Sequence, residues 1–217
     1  MKKIIVIVCF MLMVPVIASA YTINDLVGDQ IGVKQFDLYG INVIQDTTHI
    51  TFDIYSNYPQ NGVTVGSWKT FAGDLAFDFN NDGTYDHAVA FTNHDGLTAG
   101  GFYSVSSWNT SNNYALNGYT YNKNQIVTIK SGSFIEQADN FAWQNIAGTA
   151  PDYLWSVTLD KDLFPEGVNG IFYSVATCSN DNIKGSFTVT PEPATMLLFG
   201  MGVAGLAARL RRKNRSI

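Results

Sequence analysis

The sequence predicts an all-β fold, an antiparallel β-sandwich or jelly roll, and three observations carry that prediction. Between residues 21 and 190, apolar and polar residues alternate with period two in short runs, as in strands whose successive side chains point to opposite faces. Clusters of Asn, Gly, Ser and Thr, such as Asn57–Gly62 and Asn109–Asn113, break these runs into turns. Aromatic residues are plentiful while Lys and Glu are scarce, a composition suited to pleated, half-buried surfaces, and abundant glycine suits the turns between them.

Taken in order, strands are expected at Lys34–Tyr39, Asn42–Gln45, His49–Ser56, Asp74–Phe79 and His87–Thr92. Five more follow at Gly101–Ser107, Gln125–Lys130, Tyr153–Leu159, Ile171–Ala176 and Gly185–Val189. The clearest is His49–Ser56, where Thr51, Asp53 and Tyr55 alternate with Phe52, Ile54 and Ser56. Only Ser133–Gln144, through Phe134, Ala138, Phe141 and Ala142, has the spacing of a short helix. Many short strands in a body of one-domain length suit a sandwich.

The two ends of the chain read differently from this body. Lys2 and Lys3, the apolar run Ile4–Val14 and the small residues Ala18-Ser19-Ala20 make a secretory signal, cleaved by signal peptidase after residue 20. Near the other end, Pro191-Glu192-Pro193 precedes the uncharged stretch Ala194–Ala208. That stretch spans about 22 Å as a helix, short of the ~30 Å hydrocarbon core. A basic stop follows at Arg209, Arg211, Arg212, Lys213 and Arg215, favouring a cytoplasmic C-terminus with the body outside. The organisation is therefore a signal peptide (1–20), a β-sandwich body (21–190) and a tail (191–217) carrying one short hydrophobic helix.

The order Pro191-Glu192-Pro193-Ala194-Thr195, Met196-Leu197-Leu198-Phe199-Gly200, a Gly/Ala-rich segment and an Arg-rich end resembles the PEP-CTERM sorting signal of Gram-negative bacteria. The same kind of tail is also catalogued as an "ice-binding protein C-terminal" region, a label for the tail alone. The resemblance implies recognition and removal of the tail by exosortase, a membrane protease. It implies an exported protein held transiently in the inner membrane, then sorted to the cell surface or the extracellular matrix, often in bacteria that make exopolysaccharide or biofilm. It covers the tail only and leaves the body's activity open.

The body carries six basic against seventeen acidic residues, a net charge of −11. Such a surface repels nucleic acid and suits cations and neutral glycans. One cysteine, Cys178, remains after removal of the signal, so no internal disulfide forms, and a buried structural thiol is expected.

The strongest local motif is Asp78-Phe79-Asn80-Asn81-Asp82-Gly83-Thr84-Tyr85-Asp86. Asp78, Asn80, Asp82, Thr84 and Asp86 place oxygens at the alternate positions of a calcium loop, with Gly83 at the sharp bend. Val89 stands where the bidentate Glu belongs, so the loop is no EF-hand. Ca²⁺ remains the one cofactor it suggests, and a plain β-hairpin with an Asn-Asp-Gly turn is the competing reading.

Catalytic signatures are thin, and no enzyme is expected. His49, His87 and His94 have no metal-ligand spacing. Asp86-His87 and His94-Asp95 are adjacent in sequence, and on a strand neighbours face opposite ways. Among the tryptophans, Trp108 in a polar run is the one expected at the surface, where it can stack on a sugar, while Trp155 belongs in the core. Two readings of the body follow: a structural or adhesive matrix protein, or a carbohydrate-binding module, calcium-assisted, that holds exopolysaccharide.

Overall fold

The computed structural model describes residues 19–114, 120–146, 148, 150–190, 200, 202, 203 and 205. Ala18, Pro191, Glu192, Pro193 and the basic stop Arg209, Arg211, Arg212, Lys213 and Arg215 lie outside the described residues. Among the described residues, no helix is long and apolar enough to cross a membrane.

The chain runs through strands β1 (Ser19–Asn24), β2 (Leu38–Gln45), β3 (His49–Ser56), β4 (Thr64–Val65) and β5 (Trp68–Lys69). It continues through β6 (Leu75–Asp78), β7 (His87–Val89), β8 (Gly101–Thr110), a single helical turn α1 (Ser111–Tyr114) and β9 (Ile126–Gln137). The last four strands are β10 (Asn140–Asn145), β11 (Tyr153–Asp160), β12 (Gly167–Ser174) and β13 (Asn182–Val189). Two main antiparallel sheets result, one ordered β1-β2-β3-β11-β10 and the other β13-β12-β6-β7-β8-β9, with β4-β5 as a separate small hairpin. The all-β sandwich expected from the alternation is what the residues form.

The pleat explains why the sheets close on each other. Along β3, Ile50, Phe52 and Ile54 are fully buried while Thr51, Asp53 and Tyr55 are only half-buried. Phe52 meets Phe77 and Phe187 of the opposite sheet at ring distances of 5.0 and 5.3 Å, and Phe164 at 5.7 Å. Each buried aromatic removes a large apolar area from water, so this cluster is the mechanical centre of the sandwich. Trp155 is buried as expected, and so is Cys178. Burial pushes the Cys178 thiol up to about 12, which makes it an inert packing residue at neutral pH.

A second apolar cluster lies on the other face of the six-stranded sheet. Ala88, Ala90, Tyr103 and Ile129 pack there beneath Leu97, Val105 and Trp108. This alternates with the inward Val89 and Phe102, which belong to the main core. The loop after β7 covers the cluster, held by the Thr98 amide donating to the Tyr103 hydroxyl at 2.9 Å.

Three expectations need correction. Ser133–Gln144 is not a helix: its first part closes β9 and its second part is β10. Phe134 pairs opposite Tyr103 and Phe141 opposite Val157, so cross-strand pairing overrides a helix-like spacing. Lys34–Tyr39 is not a continuous strand, since Lys34–Phe36 forms a 3-10 turn and β2 starts at Leu38. Trp108 is half-buried in β8, and its indole N–H donates to the Tyr85 carbonyl at 2.8 Å. It staples the β6–β7 hairpin instead of offering an open stacking face.

Gly40 merges two expected strands into one. It sits at a register shift in β2 with φ of 152°, and an added Cβ would meet the Ile23 carbonyl oxygen at 2.7 Å. Neither the dihedral nor the clash can relax without moving β1. Gly40→Ala should therefore cost about 2–4 kcal/mol, read as a lower urea midpoint at an unchanged slope.

Candidate functional site

The most organised polar site is built around Asp74, immediately before β6. Gly73 lets the chain pass close to β12, since a Cβ there would clash with the Ser174 carbonyl oxygen. The Asp74 amide donates to the Val127 carbonyl at 2.7 Å, fixing the side chain inside the sheet layer. Its carboxylate has no solvent exposure. Oδ1 accepts the Phe91 amide at 2.9 Å, and Oδ2 accepts the Ile129 amide at 2.7 Å and lies 2.9 Å from His94 Nε2.

His94 is the other half of this pair. Its Nδ1 lies 3.3 Å from Asp95 Oδ2, and that oxygen also accepts the Asn109 amide at 3.0 Å. Asn109 donates in addition to the Thr128 hydroxyl at 3.2 Å, which lies 3.0 Å from the Tyr114 hydroxyl. Burial by itself lowers the His94 pKa, but the hydrogen bond and charge of Asp74, then those of Asp95, outweigh it and raise it overall. Both ring nitrogens face carboxylates, so the imidazolium satisfies both partners. The ring therefore joins the loop after β7 to the segment just before β6, and Asp74 carries the link on to β9.

Above this network lies a groove of about 440 Å³, walled by Asn61, Lys69, Phe71, Asn93, His94 and Tyr114. Phe71 is 45 % exposed, and Lys69 Nζ sits 5.3 Å from its ring centroid. The Phe71 carbonyl accepts the Thr177 amide at 2.8 Å, so its backbone is fixed. Nothing in the spacing of these residues reveals the groove, because they come from β5, α1 and loops far apart in sequence. The neighbours His94 and Asp95 do act together, contrary to the strand argument: Asp95 has φ of 47° and lies in a turn. The same holds for Asp86, which precedes β7 and lies 3.0 Å from His87 Nδ1.

The Asp78–Asp86 hairpin is present as expected between β6 and β7. Asp78 is buried, with Oδ1 accepting the Asp82 amide at 3.1 Å and Oδ2 the Gly83 amide at 2.7 Å. Asn80 donates to Asp82 Oδ2 at 2.9 Å, and Asp82 Oδ1 accepts the Thr84 amide at 2.8 Å. These oxygens cap their own turn. Asn81 and Gly83 take the positive φ values, 54° and 91°, that the tight bend requires.

A different acidic group brings its oxygens together. Asp25, Asp29 and Asp181 place one carboxylate oxygen each within 4.8 Å of the others, close enough to share a cation. Asp181 accepts the Leu38 and Asn182 amides, both at 2.8 Å. Burial, then the charges of Asp25 and Asp29, push Asp181 up to about 7 against the Leu38 amide. Burial, then the charge of Asp29, push Asp25 up to about 6. Asp25 and Asp29 are neighbours in sequence, but only the fold adds Asp181.

The C-terminal segment bears on the route of the protein. Residues 189–213 match the family model of the PEP-CTERM protein-sorting motif. The chain carries a PEP-CTERM sorting signal. The match includes Pro191, Glu192 and Pro193 and four of the five basic residues, through Lys213. The PEP-CTERM motif implies export and sorting to the cell surface with processing by exosortase, a membrane protease. No curated protein and no solved structure shows a significant match to the chain.

Proposed function

We propose that the body is a structural or adhesive module of the cell surface or extracellular matrix, held transiently by its tail until processing, with no spacer between the body and the sorting signal. The observation that supports this reading is the junction. β13 ends at Val189, where the PEP-CTERM match begins. β13 is one edge of the six-stranded sheet, and β9 is the opposite edge. Five inter-strand gaps put that far edge about 24 Å from the attachment strand. β9 exposes Phe134 and Ile135, 57 % and 40 % accessible, where a neighbouring matrix component can pack.

Cells producing the protein should show a protease-accessible body and greater cohesion than cells lacking it. Glu192→Ala should trap an uncleaved form in the inner membrane and reduce surface display several-fold, read by fractionation and immunoblotting. Unchanged processing of that variant would overturn the sorting role of Glu192. Normal surface display without any effect on cohesion or matrix retention would overturn the adhesive reading.

A further inference from the structure

We infer that the groove over the Asp74–His94 pair is a binding site for an uncharged sugar unit of a polysaccharide. The proposal deepens the adhesive reading by naming a ligand class and the residues that meet it. Its volume, about 440 Å³, falls within the range of small-ligand sites. Its wall combines one exposed aromatic ring with planar amides, the two surfaces that a pyranose needs. The apolar face of the sugar packs on Phe71, and its equatorial hydroxyls meet hydrogen-bonding groups at the rim.

The amides of Gln60 and Asn61 make no hydrogen bond to the described residues. Asn93 Oδ1 accepts the Ala99 amide at 2.8 Å, which orients the side chain and leaves its NH₂ to donate outward or to a ligand. Tyr114 adds a hydroxyl held at 3.0 Å by Thr128. Beneath these groups the Asp74–His94–Asp95–Asn109 network is already hydrogen-bonded, so the floor is in place before a ligand arrives. Pre-organised polar groups on a rigid base lower the ordering cost of binding.

Charge selects the class of sugar. Among the described residues of the groove wall the basic ones are Lys69, which lies over the Phe71 ring, and His94, whose ring is already paired with Asp74 and Asp95. The surrounding body carries −11. A polyanion is repelled at long range, whereas a neutral chain meets no such barrier.

The test uses the full chain, solubilised in a detergent without a sugar headgroup, on an array of neutral, amino-sugar and acidic oligosaccharides. Retention on neutral members is expected, with Phe71→Ala weakening it at least tenfold and Phe71→Trp preserving it. Asn93→Ala should weaken it several-fold. Phe71 and Asn93 are exposed, so both alanine variants should fold, which an unchanged thermal melt verifies. Absence of retention on any neutral member, or neutral binding that both alanine variants leave intact, overturns the proposal. Retention confined to acidic members overturns it as well. A failed array leaves surface display and cohesion untouched, so the glycan site and the adhesive role fail separately.

Discussion

Asp74→Ala is expected to be the most damaging single substitution among the polar residues, costing about 3–5 kcal/mol of stability. Three donors depend on that carboxylate: the Phe91 amide, the Ile129 amide and His94 Nε2. Phe91 and His94 belong to the loop after β7 and Ile129 to β9, so one side chain ties that loop and β9 to the segment just before β6. Removing it strands two buried amides and leaves a half-buried imidazole facing only Asp95. Asp74→Asn keeps one acceptor oxygen but turns an NH₂ toward a donor, so it should lose about half as much. Urea unfolding followed by tryptophan fluorescence distinguishes the two. An Asp74→Ala midpoint within error of the wild type would show that the network adds nothing.

The same residues show where sequence patterning is informative and where it is silent. β3 is readable to the residue, because alternation encodes a strand with one buried face. The hairpin around Asp82-Gly83 is readable because tight turns demand particular residues at positive φ. β1 is not legible from alternation, because its first residues, Ser19 and Ala20, belong to the small-residue run Ala18-Ser19-Ala20; they pair with Gln45 and Ile44. Phe134, Ala138 and Phe141 mimic a helical stripe only because the chain turns at Asp139 between two strands in different sheets. The Asp74–His94 pair and the Asp25–Asp29–Asp181 group are invisible in one dimension. Their members are joined by sheet topology, and composition carries no record of which acids converge.

Convergence of acids is expected to make the stability of the body depend on pH. Stability measured in EDTA is expected to be greatest near pH 5 and to fall as the solution is taken to pH 8. The sign follows from linkage: stability falls with rising pH wherever the folded state holds more protons than the unfolded one. Asp25 and Asp181 are raised from 3.8 to about 6 and about 7. Their contribution is complete below about pH 4 and is lost as pH rises through those folded values. His94 is also raised, so its contribution holds below its unfolded value near 6.5 and disappears as pH passes its folded one. All three act in one direction. The exposed Asp46 and Asp82 are lowered by backbone amides, so they act in the opposite sense and limit the gain on the acid side. With a discount for the solvent that reaches Asp25, the fall amounts to about 2 kcal/mol, or roughly 4–8 °C in Tm for a domain of this size. Asp25→Asn removes one of the opposed charges and should flatten the profile by raising Tm at pH 8 more than at pH 5. A wild-type Tm that rises from pH 5 to pH 8 in EDTA would show that the three carboxylates are not held together as described.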